Sequence, residues 1–143
     1  MGFFLRVTSG SEAADRDQSL SAEERDRRLV EAVEHGAVGE LRALIAAGAD
    51  VGATVGGWTA LHWAARSGNV EAARLLVGAG AAVDARTEGG WTPLHVAAAN
   101  GHTQVAAALL VAGADRGATG VDGRTALDLA RRWNRRRLVG MLS

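Results

Sequence analysis

The chain has 143 residues, a length that fits one domain, and its sixteen acidic and sixteen basic side chains cancel to a formal net charge of zero. That balance gives no overall pull toward polyanions, and the lack of cysteine excludes disulfides and thiolate chemistry. No run of about 18 apolar residues is present, so nothing in the sequence offers a membrane-spanning helix.

The charges are unevenly spread. Residues 10–50 hold ten acids against five arginines, and the last twenty residues hold Arg124, Arg131, Arg132, Arg135, Arg136 and Arg137 against Asp128. An acidic start and a basic end predict a dipole along the chain's long axis, which can steer a charged partner.

In chain order, residues 1–20 read as a loosely ordered tail with no assigned role. Met1-Gly2-Phe3-Phe4-Leu5-Arg6 is too short an apolar stretch for a signal peptide. Arg6 stands where a myristoylation motif needs Ser or Thr. Ser21-Ala22-Glu23-Glu24 then reads as a capping box opening a helix. That helix carries Leu29, Val30, Ala32 and Val33 and should end in a left-handed turn at Gly36.

From there the chain repeats itself. Gly57-Trp58-Thr59-Ala60-Leu61-His62-Trp63-Ala64-Ala65 returns 33 residues later as Gly90-Trp91-Thr92-Pro93-Leu94-His95-Val96-Ala97-Ala98. A degraded copy follows at Gly123-Arg124-Thr125-Ala126-Leu127-Asp128-Leu129-Ala130-Arg131. Working backwards, Leu29, Ala32, Gly36, Leu44, Ile45 and Gly48 align with Leu61, Ala64, Gly68, Leu76, Val77 and Gly80 at an offset of 32. The missing residue falls in the Thr54-Val55-Gly56 loop, which should therefore be the shorter one. Four units result, at 22–56, 57–89, 90–122 and 123–143. A unit this small cannot bury its own apolar face, so a stacked solenoid is expected, with atypical first and last copies.

Within each unit, Thr59, Thr92 and Thr125 are predicted N-caps, with Pro93 at the first helical position. Gly68 and Gly101, and Asn134 in the register of the last copy, are the residues suited to left-handed turns. Ala64-Ala65 and Ala97-Ala98 let inner helices approach closely, while Leu75, Leu76, Val77, Leu109 and Leu110 fill an outer layer. Unequal inner and outer side chains would curve the stack around a concave inner face.

The 33-residue period with Thr-Pro-Leu-His and two alanines resembles the ankyrin repeat, as do Gly48-Ala49-Asp50-Val51, Gly80-Ala81-Ala82-Val83 and Gly113-Ala114-Asp115-Arg116. The resemblance covers about residues 22–143. It implies an all-α solenoid of stacked helix-turn-helix pairs with short β-hairpin finger loops, one domain over 21–143. It also implies a non-catalytic module that binds a partner protein through the concave inner-helix and finger surface. One departure is that Thr87 and Gly120 stand where the family commonly has an Asp bracing the finger, which predicts looser finger tips.

By the same resemblance, His62 and His95 tie adjacent repeats through backbone rather than hold a metal, and Asp128 replaces them in the last copy. His102 after the turn glycine is a usual family choice, and His35 is expected to be exposed. The serines lack a Gly-x-Ser-x-Gly setting, and Gly56-Gly57 and Gly89-Gly90 read as finger turns rather than phosphate loops. The expectation is no enzyme, no cofactor and no metal.

The candidate partner face comprises Arg66, Ala99, Asn100, Arg132 and Trp133 on inner helices, with Trp58, Glu88, Trp91 and Arg124 on the finger side. Trp and Arg are favoured interface anchors. Trp63 replaces a usual Leu within the inner helix and is expected in the core. The arginines at 131–137 around Trp133 read first as a solubilising cap; binding of nucleic acid or another anionic surface there is the competing reading. The expected state is a monomer in the cytoplasm, with a protein partner of unknown identity.

Overall fold

The computed structural model describes residues 21–143, so the readings of residues 1–20 lie outside it. Among the described residues eight helices follow one another in pairs. The first of each pair are α1 (Ala22–Glu34), α3 (Ala60–Ser67), α5 (Pro93–Asn100) and α7 (Ala126–Arg132). Their partners are α2 (Val38–Ala46), α4 (Val70–Gly78), α6 (Thr103–Val111) and α8 (Arg136–Leu142). α1, α3, α5 and α7 pack in a row as an inner layer, and α2, α4, α6 and α8 pack in a second row behind it. Helices of seven to thirteen residues are marginal in isolation, so their stability comes from this lateral packing.

The sequence explains the layering. Ala64, Ala65, Ala97, Ala98 and Ala130 are fully buried where inner helices meet, and Leu61, Leu76, Leu94 and Leu109 fill the space between the layers. Thr59, Thr92 and Thr125 cap the inner helices as predicted. Ser21 accepts the Glu24 amide at 3.1 Å, the first arm of its predicted capping box. The complete two-armed box forms instead at the three threonines, where His62, His95 and Asp128 supply the second arm.

The paired helices turn at Gly36, Gly68, Gly101 and Asn134, all with positive φ. At Gly68 two constraints coincide. Its φ of +76° disfavours any side chain, and a Cβ would come within 2.5 Å of His102 Nδ1. His102 is held there because its Nε2 donates to the Arg66 carbonyl at 2.9 Å. The same rung recurs each repeat: Asn69 Nδ2 donates to Val33 O and Arg135 Nε to Ala99 O. Arg135, drawn into the cationic cluster by sequence alone, therefore fastens α8 to α5.

The fingers differ from one another. β1 (Thr54–Val55) pairs with β2 (Trp58–Thr59) in an antiparallel register that sets Val55 opposite Trp58, with Gly56 and Gly57 at positive φ between them. Two residues with positive φ make the turn whose twist suits a hairpin. In the second finger Thr87 donates its amide to Trp91 O at 3.1 Å across three residues, so the first finger is the shorter, as predicted. Among the described residues the one strand pair is β1–β2. The other fingers are hydrogen-bonded turns.

Nor are those turns unbraced. Thr87 Oγ1 accepts the Trp91 amide at 3.2 Å, from the position where an Asp was missed. Val121 N donates to Gly89 O, and Arg86 Nη1 donates to Thr119 O at 2.7 Å, which joins neighbouring fingers. Gly120 has its own reason: a Cβ there would lie 2.8 Å from the Trp91 ring.

Candidate protein-binding face

Two of the inner helices, α3 and α5, are each tied to the next copy by a histidine. His62 Nδ1 accepts the Thr59 amide at 3.2 Å and Thr59 Oγ1 lies 2.8 Å from it, while Nε2 donates to Trp91 O at 2.8 Å. His95 repeats the pattern with Thr92 and donates to Arg124 O at 3.0 Å. An accepting Nδ1 and a donating Nε2 require the neutral tautomer, and both nitrogens are occupied by protein. Asp128 reproduces only the capping arms, through Thr125.

Burial lowers the pKa of both histidines from the ordinary value, because the charged ring is poorly solvated there. The unfolded chain takes up protons near pH 6.5, so it binds more protons than the folded one below that pH. Stability is thus full above about pH 6.5 and is lost as the pH falls toward the depressed folded values. Denaturation midpoints at pH 7.5 and pH 5 should differ, the acid one being lower; equal midpoints would contradict the assignment of neutral, buried rings.

These ties fix the finger bases, and with them the tryptophans. Trp58 and Trp91 are half-buried at equivalent positions. Trp91 meets the His95 ring edge-on at 5.2 Å, and Trp58 lies 5.7 Å from His62. Together with Val96, Ala99, Asn100, Leu129 and His95 they line an open, mainly apolar hollow of about 230 Å³. Four predicted residues, Trp58, Trp91, Ala99 and Asn100, therefore come together. Asn100 is oriented by donating Nδ2 to Val96 O at 2.8 Å.

Trp63 is packed against the core rather than enclosed in it. It is half-buried on the same face, its centroid 5.2 Å from Trp58, with Nε1 donating to Val55 O. Those two contacts place the ring against the first finger. Arg66 is exposed with its guanidinium 5.6 Å from the Trp63 ring, a distance suited to cation–π attraction. Glu34, Trp63, Arg66 and Ser67 share a second hollow.

The remaining predicted residues stand outside the aromatic hollow. Arg132 and Trp133 are exposed together at the end of α7, 5.6 Å apart. Arg124 is exposed and pairs loosely with Asp122 at 3.6 Å. Glu88 is exposed at the second finger's tip. Val96 and Leu129 were missed as lining residues, although they share the 33-residue register of Trp63 and could have been found from it.

The outer layer has an apolar opening too. Val70, Ala73, Val77, Ala107 and Ala108 line a groove of about 620 Å³ between α4 and α6, beside Val111, which is 91% exposed. Among the described residues, no helix is long and apolar enough to cross a membrane.

No curated protein matches this chain. A family profile described as ankyrin repeats, many copies, matches residues 29–77 and again 61–110. Ankyrin repeats generally serve as protein–protein interaction modules rather than catalysts. With stacked helix pairs, histidine ties between copies and a profile match across more than half its length, the chain belongs to the ankyrin-repeat family.

Proposed function

We propose that the chain is a non-catalytic module that binds a partner protein on its concave inner-helix and finger surface, with Trp58 and Trp91 as anchors. The hollow between these two half-buried rings carries the reading. It offers apolar area to a partner side chain, and its edge keeps polar groups such as Asn100 for orientation. Arg66, Arg124 and Arg132, all exposed, supply rim cations that pair with acidic groups. The chain acts as a monomer, and its lack of cysteine suits the reducing cytoplasm.

The competing reading, an anionic surface held by the C-terminal arginines, has less support. Arg135 is engaged with Ala99 O, and the acidic first helix would repel a polyanion that extended along the stack.

A pull-down from the native host, at low and at near-physiological salt, tests the proposal. The Trp58→Ala/Trp91→Ala variant should lose its partner, each truncation costing more than about 1 kcal/mol of binding. Because both rings also pack on neighbours, the melt of the variant is measured alongside. A folded variant that captures the same partner undiminished would refute the proposed site.

A further inference from the structure

The inner face is polarised from one end to the other, and the polarity follows the repeat register. The position of Arg66 is occupied by Glu34, Arg66, Ala99 and Arg132 from α1 to α7. A second row runs through Trp58, Trp91 and Arg124, each just before a capping Thr, and Asp26 aligns with it in sequence from within α1, where it meets the first finger. Both rows begin with a carboxylate and end with a guanidinium, and the second has indoles between.

These rows belong to one surface. Glu23, Asp26 and Arg27 share a hollow with Thr54 and Val55 of the first finger. Trp63 links that finger to the next hollow through its bond to Val55 O, and its ring meets Trp58, which opens the aromatic hollow. Leu129 of α7 closes that hollow, and Arg132 follows one turn along the same helix. At the acidic end, partial burial and the nearby Asp50 and Glu23 carboxylates raise the Asp26 pKa against the opposing pull of Arg25.

We propose that this face binds an extended segment of a partner protein with fixed polarity: basic residues over α1, a bulky apolar side chain between Trp58 and Trp91, acidic residues over α7. The inference rests on the aromatic hollow being the binding site and adds the partner's chemistry and direction. Neighbouring helices pack roughly 8–10 Å apart, so three steps from α1 to α7 span roughly 24–30 Å. A strand-like segment advancing about 3.3 Å per residue crosses that distance in about 7–9 residues. A uniformly acidic segment would meet like charge at Asp26 and Glu34, and a uniformly basic one at Arg124 and Arg132. A segment with both signs in this order matches the carboxylates at the α1 end and the guanidiniums at the α7 end, with Arg66 between them held over the Trp63 ring.

The test is to select from a displayed random peptide library of about 12 residues against the full chain near physiological salt, long enough for the span above. Selected peptides should carry an aromatic or aliphatic residue with acids on one side and Lys or Arg on the other. The Arg124→Glu/Arg132→Glu variant should bind them at least about fivefold more weakly, and exchanging their acids for Lys should restore binding. Arg124→Gln/Arg132→Gln should act in the same direction with a smaller loss. Both arginines are exposed, and the melts of the variants confirm folding. Peptides lost on Trp58→Ala/Trp91→Ala but indifferent to charge reversal overturn the polarity and leave the aromatic site standing. Peptides indifferent to both sets of variants overturn the site as well, and failure to enrich any peptide overturns an extended occupant.

Discussion

Deleting residues 123–143 is expected to lower the denaturation midpoint steeply and to leave a chain that aggregates. The deleted part covers its neighbours directly: α7 packs on α5, and α8 on α6. Its Leu138 and Leu142 are buried in the common core, so their removal uncovers apolar area on the helices that stay. Each Leu or Val side chain brought fully into water costs about 1.5–3 kcal/mol. The cut also removes the Arg124 carbonyl, leaving the His95 Nε2–H without its acceptor, a further loss of about 1–3 kcal/mol. A total loss above about 3 kcal/mol is expected for the remaining copies, as nearest-neighbour coupling requires. Equal midpoints and equal solubility of the full and cut chains would show that the copies are not coupled in this way.

His62→Ala and His95→Ala should each cost about 1–3 kcal/mol, because each removes a buried ring that two neighbouring segments depend on. His62 is 0% and His95 1% exposed, so no water replaces the ring nitrogens without rearrangement. The losses fall on different contacts: Thr59 loses its capping partner within the helix, and Trp91 O loses a donor from the preceding copy. Denaturant unfolding of each variant measures the sum. Added zinc should leave the melting temperature of the parent chain unchanged, since both nitrogens are already engaged. Variants as stable as the parent would remove these rings from the structural account.

Much of the fold is legible in the sequence because an ankyrin repeat is specified by residues that act locally. A capping Thr, a Pro at the first helical position and a residue tolerant of positive φ each state a backbone requirement independent of distant partners. Asn134 illustrates this: its φ of 55° follows from its alignment with the turn glycines. The 33-residue register also brings Trp58 and Trp91 to the same edge without any knowledge of packing.

What escaped the sequence depends on contacts between copies. Trp63 sits in an inner-helix register and reads as core, yet it is half-buried and its Nε1 donates to Val55 O of the first finger. Gly120 reads as a missing brace until Trp91 is seen against it. Arg135 reads as a surface cation, and its link to Ala99 O depends on where α5 ends. In each case the deciding partner is about one repeat away, or across a finger, beyond the reach of local pattern.

The claim that matters most is that the inner-helix face, rather than the outer groove between α4 and α6, receives the partner. Hydrogen–deuterium exchange of the full chain, alone and with its captured partner, tests this directly. The account predicts added protection in the first finger and around Trp91 to Asn100, with α4 and α6 unchanged. Protection confined to Val70–Gly78 and Thr103–Val111, with the tryptophan segments unaffected, would contradict it.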